Sequence, residues 1–148
     1  MICYLDTSAL VKLYIEESGS DVVRDMVALC SLVSTSKIAY VEAMAAFSRY
    51  QREEAPSEAM HEIVSHFRLD WPSYFSLEVT ESLVFFAGEL AQQHALRGFD
   101  AIHLASALFL AGHLDGEELE VGCWDTRLWI ACREAGLKTF PAECPGKL

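Results

Sequence analysis

This sequence has no long apolar run and no region of low complexity. No stretch approaches the roughly 18 consecutive apolar residues of a membrane-spanning helix, and the N-terminal residues lack the basic start and apolar core of a secretory signal. The protein is therefore expected to be cytoplasmic and to have no membrane partner. Internal repeats and long Gly/Ser-rich or Pro-rich stretches are also missing, which argues against linkers, disorder and solenoids.

Cysteine spacing typical of metal or redox sites is absent as well. The sequence has five cysteines, and none of them forms a Cys-x-x-Cys pair. An odd number without this spacing argues against a zinc site or a redox motif. We expect reduced thiols, several of them in the core.

Positive charge is scarce. Lys and Arg number 11 against 22 Asp and Glu, which gives a formal net charge of −11. Such a field repels polyanions and argues against a general nucleic-acid binder. It does not exclude a nuclease, because local arginines and bound cations can reverse the field at one cleft.

What is present is the pattern of an α/β protein. The 148 residues, 52% of them hydrophobic, are enough for a single domain over 1–148. Short β-rich runs alternate with longer helical patterns, which predicts a three-layer α/β/α sandwich around a central, mostly parallel sheet. The predicted strands are Ile2–Leu5, Leu32–Thr35, Tyr74–Val79, Leu119–Cys123 and Leu137–Phe140. The predicted helices are Ser8–Glu16, Asp21–Leu29, Ser36–Glu53, Ser57–Leu69, Glu81–His94, Phe99–Ala111 and Thr126–Ala135.

Four acidic residues interrupt apolar sequence. Asp6 and Asp125 directly follow predicted strands, whereas Glu42 and Asp100 lie in the first two turns of their helices. Strand ends and the following helix starts gather at one edge of a parallel sheet, which is where such folds bind ligands. We therefore expect the four carboxylates to converge there.

A converging set of carboxylates has a chemical consequence. Two carboxylates about 4 Å apart repel by on the order of 4 kcal/mol at an effective dielectric constant of about 20. The cluster therefore needs protons or cations, and all-oxygen ligands suit Mg²⁺ or Mn²⁺. A site of this kind is the usual apparatus for phosphodiester hydrolysis.

The motifs around these acids resemble those of a known family. In order and spacing, four segments are similar to the acidic motifs of PIN-domain ribonucleases, and most of all to the VapC-type toxins of VapBC toxin–antitoxin pairs. The segments are YLDTSALVKLY, AYVEAMAAFSRY, LRGFDAIHLASAL and WDTRLWIACREAGL. The resemblance runs from Ile2 to about Phe140.

The resemblance implies a function, a cofactor and partners. It implies an endoribonuclease that cleaves RNA with Mg²⁺ or Mn²⁺, forms a homodimer and is inhibited by a cognate antitoxin. Carried over by motif, Asp6 and Asp100 are the principal metal-site and catalytic acids, with Glu42 third and Asp125 fourth. Where the family often has a hydroxyl residue shortly before the fourth acid, this chain has Cys123 and Trp124. This departure leaves open whether Asp125 reaches the metal directly or through water.

Each acid also has an ordinary structural role open to it. Asp6 and Asp125 are candidates to cap the helices that follow them. Glu42 is a candidate partner for Arg49 or another arginine. Asp100 is favourable at the positive end of its helix. The occurrence of all four in family order favours the shared site.

Several other residues are placed near the cleft because they lie close to the four acids in the sequence, which is a less specific signal than the acidic motifs. His103 lies three residues after Asp100, and we expect a half-buried, hydrogen-bonded histidine outside the site, since Mg²⁺ prefers oxygen. Thr7 is expected to support Asp6 and its metal water. The basic residues placed near the cleft are Lys12, Arg97 and Arg127, with plain surface charge as their alternative role.

Two other functional classes remain as alternatives. A phosphoryl-transfer enzyme also places an aspartate after a strand, but Asp6-Thr7-Ser8 lacks the second aspartate that a haloacid-dehalogenase-type phosphatase needs two residues later. A receiver domain needs a later lysine after another strand, which is not evident. The stronger rival is a non-catalytic PIN-like scaffold or binding protein, which has no reason to bind a divalent cation at this cleft.

Overall fold

The chain forms a five-stranded parallel sheet. The structure, a computed structural model, describes residues 1–53 and 57–146. Its strands are β1 Ile2–Leu5, β2 Leu32–Ser36, β3 Phe75–Leu77, β4 Leu119–Gly122 and β5 Lys138–Phe140. The order across the sheet is β3-β2-β1-β4-β5, and every neighbouring pair is parallel. The predicted α/β fold is confirmed.

Seven α-helices connect or flank these strands. They are α1 Thr7–Val11, α2 Ser20–Leu29, α3 Ile38–Glu53, α4 Ser57–Asp70, α5 Glu81–His94, α6 Gly98–Ala111 and α7 Thr126–Glu134 within the described part of the chain. A 3₁₀ turn, Trp71–Ser73, precedes β3. The first helix is shorter than predicted: after Val11 the chain continues in turns whose hydrogen bonds reach back three residues, from Lys12 to Ala9 and from Tyr14 to Val11.

The third strand is also shorter than predicted. Within the described residues it lies at one edge of the sheet, where it pairs with β2. The amide of Tyr74, predicted to begin this strand, instead donates to the carbonyl of Trp71 in the 3₁₀ turn. Thr80, just beyond the predicted strand end at Val79, caps α5.

The two faces of the sheet are covered by different helices. Side chains of β1 alternate, so that Ile2 and Tyr4 enter the core shared with α5, α6 and α7, while Cys3 and Leu5 enter the core shared with α1 to α4. Successive residues of a strand point to opposite faces, so β1 holds both cores together. This arrangement confirms the three layers. Cys3, Cys123 and Cys132 are buried free thiols, as expected.

The strand order reverses between β1 and β4. The chain runs outward from β1 through β2 to β3, then returns to place β4 and β5 on the other side of β1. Ligands of open α/β sheets bind at the carboxyl ends of the strands where this reversal occurs. Asp6 follows β1 directly, and Asp125 follows β4. No helix in the described ranges has the length and apolar character needed to cross a membrane.

Candidate active site

The four predicted acids line one cavity. Asp6, Glu42, Asp100 and Asp125 all contribute to a cavity of about 490 Å³. Asp6 and Asp125 lie at the N-caps of α1 and α7, while Asp100 lies in the first turn of α6 and Glu42 near the start of α3. The topology thus brings together residues from four elements that are distant in sequence.

The carboxylate of Asp6 is buried, and both of its oxygens accept hydrogen bonds. Its Oδ1 accepts from the Ala9 amide at 2.8 Å, and the Ser8 hydroxyl donates to the carboxylate, 2.7 Å from Oδ1 and 2.8 Å from Oδ2. Asp6 therefore caps α1, the alternative role considered for it, while also facing the cavity. Burial raises the pKa of Asp6 above its usual value, although His103 and the bonds from Ser8 and Ala9 partly offset that rise.

Ser8 joins two edges of the site. Besides donating to Asp6, its hydroxyl oxygen accepts from the backbone amide of Trp124 at 2.8 Å. The loop that carries Asp125 is thereby tied to the start of α1. The Ser8 hydroxyl therefore contacts the loop before Asp125, where this sequence has Cys123 and Trp124.

Glu42 is held by two side chains. Thr7 Oγ1 donates to Glu42 Oε1 at 2.6 Å, and His103 Nε2 lies 2.8 Å from the same oxygen. Burial alone would raise the pKa of Glu42, but the hydrogen bonds from His103 and Thr7 hold it below its ordinary value. Within the described residues Glu42 pairs with His103 and not with Arg49 or another arginine, so the alternative role considered for it was wrong. The expected support from Thr7 acts on Glu42, and Ser8 is the hydroxyl that supports Asp6.

His103 is hydrogen-bonded, as predicted, but it lies at the cavity and not outside it. It lines the cavity and is 2% exposed, not half-buried. Because the Glu42 carboxylate can only accept, His103 Nε2–H donates to it, and in the neutral ring Nδ1 accepts from the Tyr4 hydroxyl at 2.8 Å. The spacing of three residues from Asp100 signalled a shared helix face, but nothing in the sequence identified Tyr4 or Glu42 as partners.

Asp100 and Asp125 repel each other and the remaining acids. Burial, then the charge of Asp125, raises the pKa of Asp100 to about 6, with smaller contributions in the same direction from Asp6 and Glu42 and an opposing one from His103. Asp125 Oδ1 accepts from the Leu128 amide at 2.9 Å and so caps α7. Burial is thus the main cause of the higher Asp100 pKa, and the neighbouring carboxylates add to it.

The donor set suits a hard divalent cation. Four carboxylates supply oxygen ligands and excess negative charge, the combination that Mg²⁺ and Mn²⁺ prefer. Across residues 1–53 and 57–146, however, no three Asp, Glu, His or Cys side chains are arranged to hold an ion as they stand. The carboxylates of Asp6 and Glu42 are directed instead to hydroxyl and imidazole partners.

The three basic residues predicted near the cleft have different locations. Lys12 lines the main cavity, where its ammonium lies 2.9 Å from Glu17 and 5.1 Å from the centroid of the Trp124 ring. Arg97 lines a second cavity that also contains Asp100 and Asp125. Arg127 lies in a separate cavity with His94 and Glu134, so its predicted place near the acids was wrong.

Comparison with known proteins identifies the family. The family model described as "PIN domain" matches residues 3–114. The chain belongs to the PIN-domain family. The PIN chain is also 36% identical over 146 residues to Ribonuclease VapC45 of Mycobacterium tuberculosis (strain CDC 1551 / Oshkosh), with 96% of each chain covered. Ribonuclease VapC49 of M. tuberculosis (strain ATCC 25618 / H37Rv) has the same identity and coverage.

Solved structures share the PIN fold at lower identity. FitAcB from Neisseria gonorrhoeae matches with a TM-score of 0.66 and 20% identity, covering 96% of this chain and 98% of that one. A toxin–antitoxin complex from Klebsiella pneumoniae matches with a TM-score of 0.62 and 20% identity, over 95% and 93%. VapBC2 from Rickettsia felis, bound to a DNA fragment from its promoter, gives a TM-score of 0.63 and 14% identity, over 94% and 97%.

Proposed function

We propose that this PIN protein is a Mg²⁺- or Mn²⁺-dependent endoribonuclease that acts in the cytoplasm as the toxin of a toxin–antitoxin pair. The observation that carries the proposal is that Asp6, Glu42, Asp100 and Asp125 all line one cavity, at the point where the strand order reverses. Its relatives named as ribonucleases support the reaction class.

The four carboxylates would hold the cation. Asp6 and Asp100 are assigned as its principal ligands, with Glu42 and Asp125 completing the acidic set. When bound, a divalent ion there supplies activation of water and stabilisation of negative charge on the phosphodiester oxygens. Burial is the main cause of the raised pKa of Asp100, but the charges of Asp125, Asp6 and Glu42 add to it, and a bound cation would relieve that repulsion.

The remaining residues of the site position these acids. Ser8 fixes both oxygens of Asp6 and ties α1 to the loop before Asp125. Thr7 and His103 bond the same oxygen of Glu42, so its other oxygen is the one left to face a ligand. Such partners fix the rotamers of carboxylates that must bind a cation.

The partners follow from charge and from the relatives. An unrestrained ribonuclease would damage its own cell, and the structural neighbours include toxin–antitoxin complexes. The net charge of −11 favours a basic antitoxin segment and speeds its association. We assign a cognate antitoxin and a homodimeric state to this protein on the strength of its family.

The test is cleavage of a mixed pool of single-stranded and structured RNA by the purified protein. We expect cleavage with Mg²⁺ or Mn²⁺ and none with EDTA. Calorimetric titration with Mn²⁺ separates the alternative, a non-catalytic PIN-like scaffold, which would neither bind the ion at these acids nor cut RNA. Failure of the adjacent gene product to bind or suppress toxicity would overturn the toxin assignment alone.

A further inference from the structure

A second cavity meets the first at the acids. It has a volume of about 430 Å³ and is lined by Arg97, Gly98 and Phe99 together with Glu42, Asp100 and Asp125. The last three residues also line the larger cavity, which Lys12 and Arg49 line as well. A chain-like ligand bound at these shared acids would therefore contact both cavities.

An exposed aromatic ring stands in the second cavity. Phe99 is 54% exposed and directly precedes Asp100 in the first turn of α6. The three carboxylates beside this ring do little to stabilise an apolar group. A nucleobase, however, can stack on the ring whichever of the four bases it is. Stacking on aromatic side chains is the usual way in which proteins hold single-stranded bases.

A cation lies next to this ring. Arg97 borders the same cavity and makes no ion pair with any residue of 1–53 or 57–146. Its side chain does not cap α6. A guanidinium left without a carboxylate partner, in a strongly acidic protein, is suited to bind the phosphate of a nucleic acid.

We propose that the second cavity is a nucleotide subsite for single-stranded RNA. Phe99 stacks on the base next to the cleaved phosphate, and Arg97 binds the phosphate that follows on that side. The strand continues from the acids into the larger cavity, which Lys12 and Arg49 line. This assignment rests on the proposed endoribonuclease function, and it gives that function a preference for unpaired RNA, since a paired base cannot reach the ring.

Matched variants on the same helix test the assignment. Phe109 is 52% exposed and also lies on α6, but it lines neither cavity. We expect Phe99→Ala and Phe99→Leu to raise the KM for a single-stranded RNA oligonucleotide about tenfold. Phe99→Trp should keep the wild-type KM, and so should Phe109→Ala.

The arginine is tested in the same way. Arg97→Ala should raise the KM and weaken the salt dependence of the KM, whereas Arg127→Ala should change neither. Equal KM values for wild type, Phe99→Ala and Phe99→Leu would overturn the subsite.

Oligonucleotides that lack one base show which base stacks on Phe99. Binding measured without cleavage tests the subsite independently of the proposed nuclease activity. Oligonucleotides with one abasic position are compared on wild type and Phe99→Leu, and we expect one position to weaken wild-type kcat/KM about tenfold without affecting the variant. Fluorescence anisotropy in the Asp6→Asn background measures binding of the same oligonucleotides without cleavage. Phe99-dependent binding by a protein that never cuts RNA would sustain the subsite and refute the nuclease. Loss of antitoxin copurification by Phe99→Leu, with unaltered RNA binding, would refute the subsite.

Discussion

The imidazole of His103 and the carboxylate of Glu42 are separated by 61 residues of sequence, yet His103 Nε2 lies 2.8 Å from Glu42 Oε1. Tyr4 bonds the other ring nitrogen at 2.8 Å from beneath the site. This contact anchors one acid of the cavity to the core between the sheet and α6. The position of Glu42 in the acidic site therefore depends on the packing of His103 and Tyr4 in the core.

Replacing His103 should therefore destabilise the fold. His103→Ala leaves the Tyr4 hydroxyl and the Glu42 carboxylate without their shared partner, and we expect a loss of about 2–4 kcal/mol in the free energy of unfolding. Urea denaturation monitored by circular dichroism measures it. The matched control is His61→Ala, because His61 is exposed on α4, and its change should stay within about 0.5 kcal/mol. Similar losses in both variants would contradict the anchoring role.

Divalent cations should stabilise the wild-type protein. An ion that binds the folded state alone, present at ten times its Kd, adds about 1.4 kcal/mol, or roughly 3–6 °C in Tm for a chain of this size. Millimolar Mn²⁺ or Mg²⁺ should produce this shift in a thermal melt. Asp6→Asn should reduce it while retaining the helix cap, since asparagine caps as well as aspartate does. An unchanged wild-type Tm would show that the acids do not form a cation site.

Stability without metal should depend on pH through Asp100. Burial and the charge of Asp125 raise its pKa to about 6 in the folded protein, above the value of about 3.9 in an unfolded chain. Between these values the folded state binds more protons, so stability falls as pH rises through about 6 and the cost persists above it. Asp100→Asn removes this titration. In EDTA, its stability relative to wild type should increase from pH 5.5 to 7.5, and a constant difference would contradict the raised pKa of Asp100.

Antitoxin inhibition should be sensitive to ions. If a basic side chain of the antitoxin occupies the acidic cavity, it competes with the cation there and is screened by salt. We expect the inhibitory constant measured with the purified antitoxin to rise several-fold between 50 and 300 mM NaCl, and again with added Mg²⁺. Inhibition that is independent of both would place the antitoxin contact away from these acids.

Local sequence patterns accounted for most of the fold. Ile2–Leu5 and Glu81–His94 have the predicted bounds as β1 and α5, because period-two and helical patterns reflect which face each element buries. The ends of α1 and β3 were missed because hydrogen bonds in the turns around Lys12 and Tyr74, and not hydrophobic pattern, decide where those elements end.

The candidate site likewise has features that the sequence predicted and contacts that it did not. The position of Asp6 after a strand and of Asp100 at a helix start follows from topology, so their convergence was predictable. The bonds from His103 to Tyr4 and from Ser8 to the amide of Trp124 join residues separated by 99 and 116 positions. Such contacts depend on the final packing of α6 and the loop before α7, and no local pattern encodes them.

The most direct test of whether this cavity is the active site is the rate of RNA cleavage by matched aspartate variants in Mg²⁺ and Mn²⁺. Asp6→Asn and Asp100→Asn each remove a charge from the shared cavity, whereas Asp115→Asn removes one from an exposed turn. We predict at least about a hundredfold loss of rate for the first two, wild-type cleavage for the third, and unchanged circular dichroism for all. Wild-type cleavage by a folded Asp6→Asn or Asp100→Asn protein would contradict the assignment of this cavity as the active site.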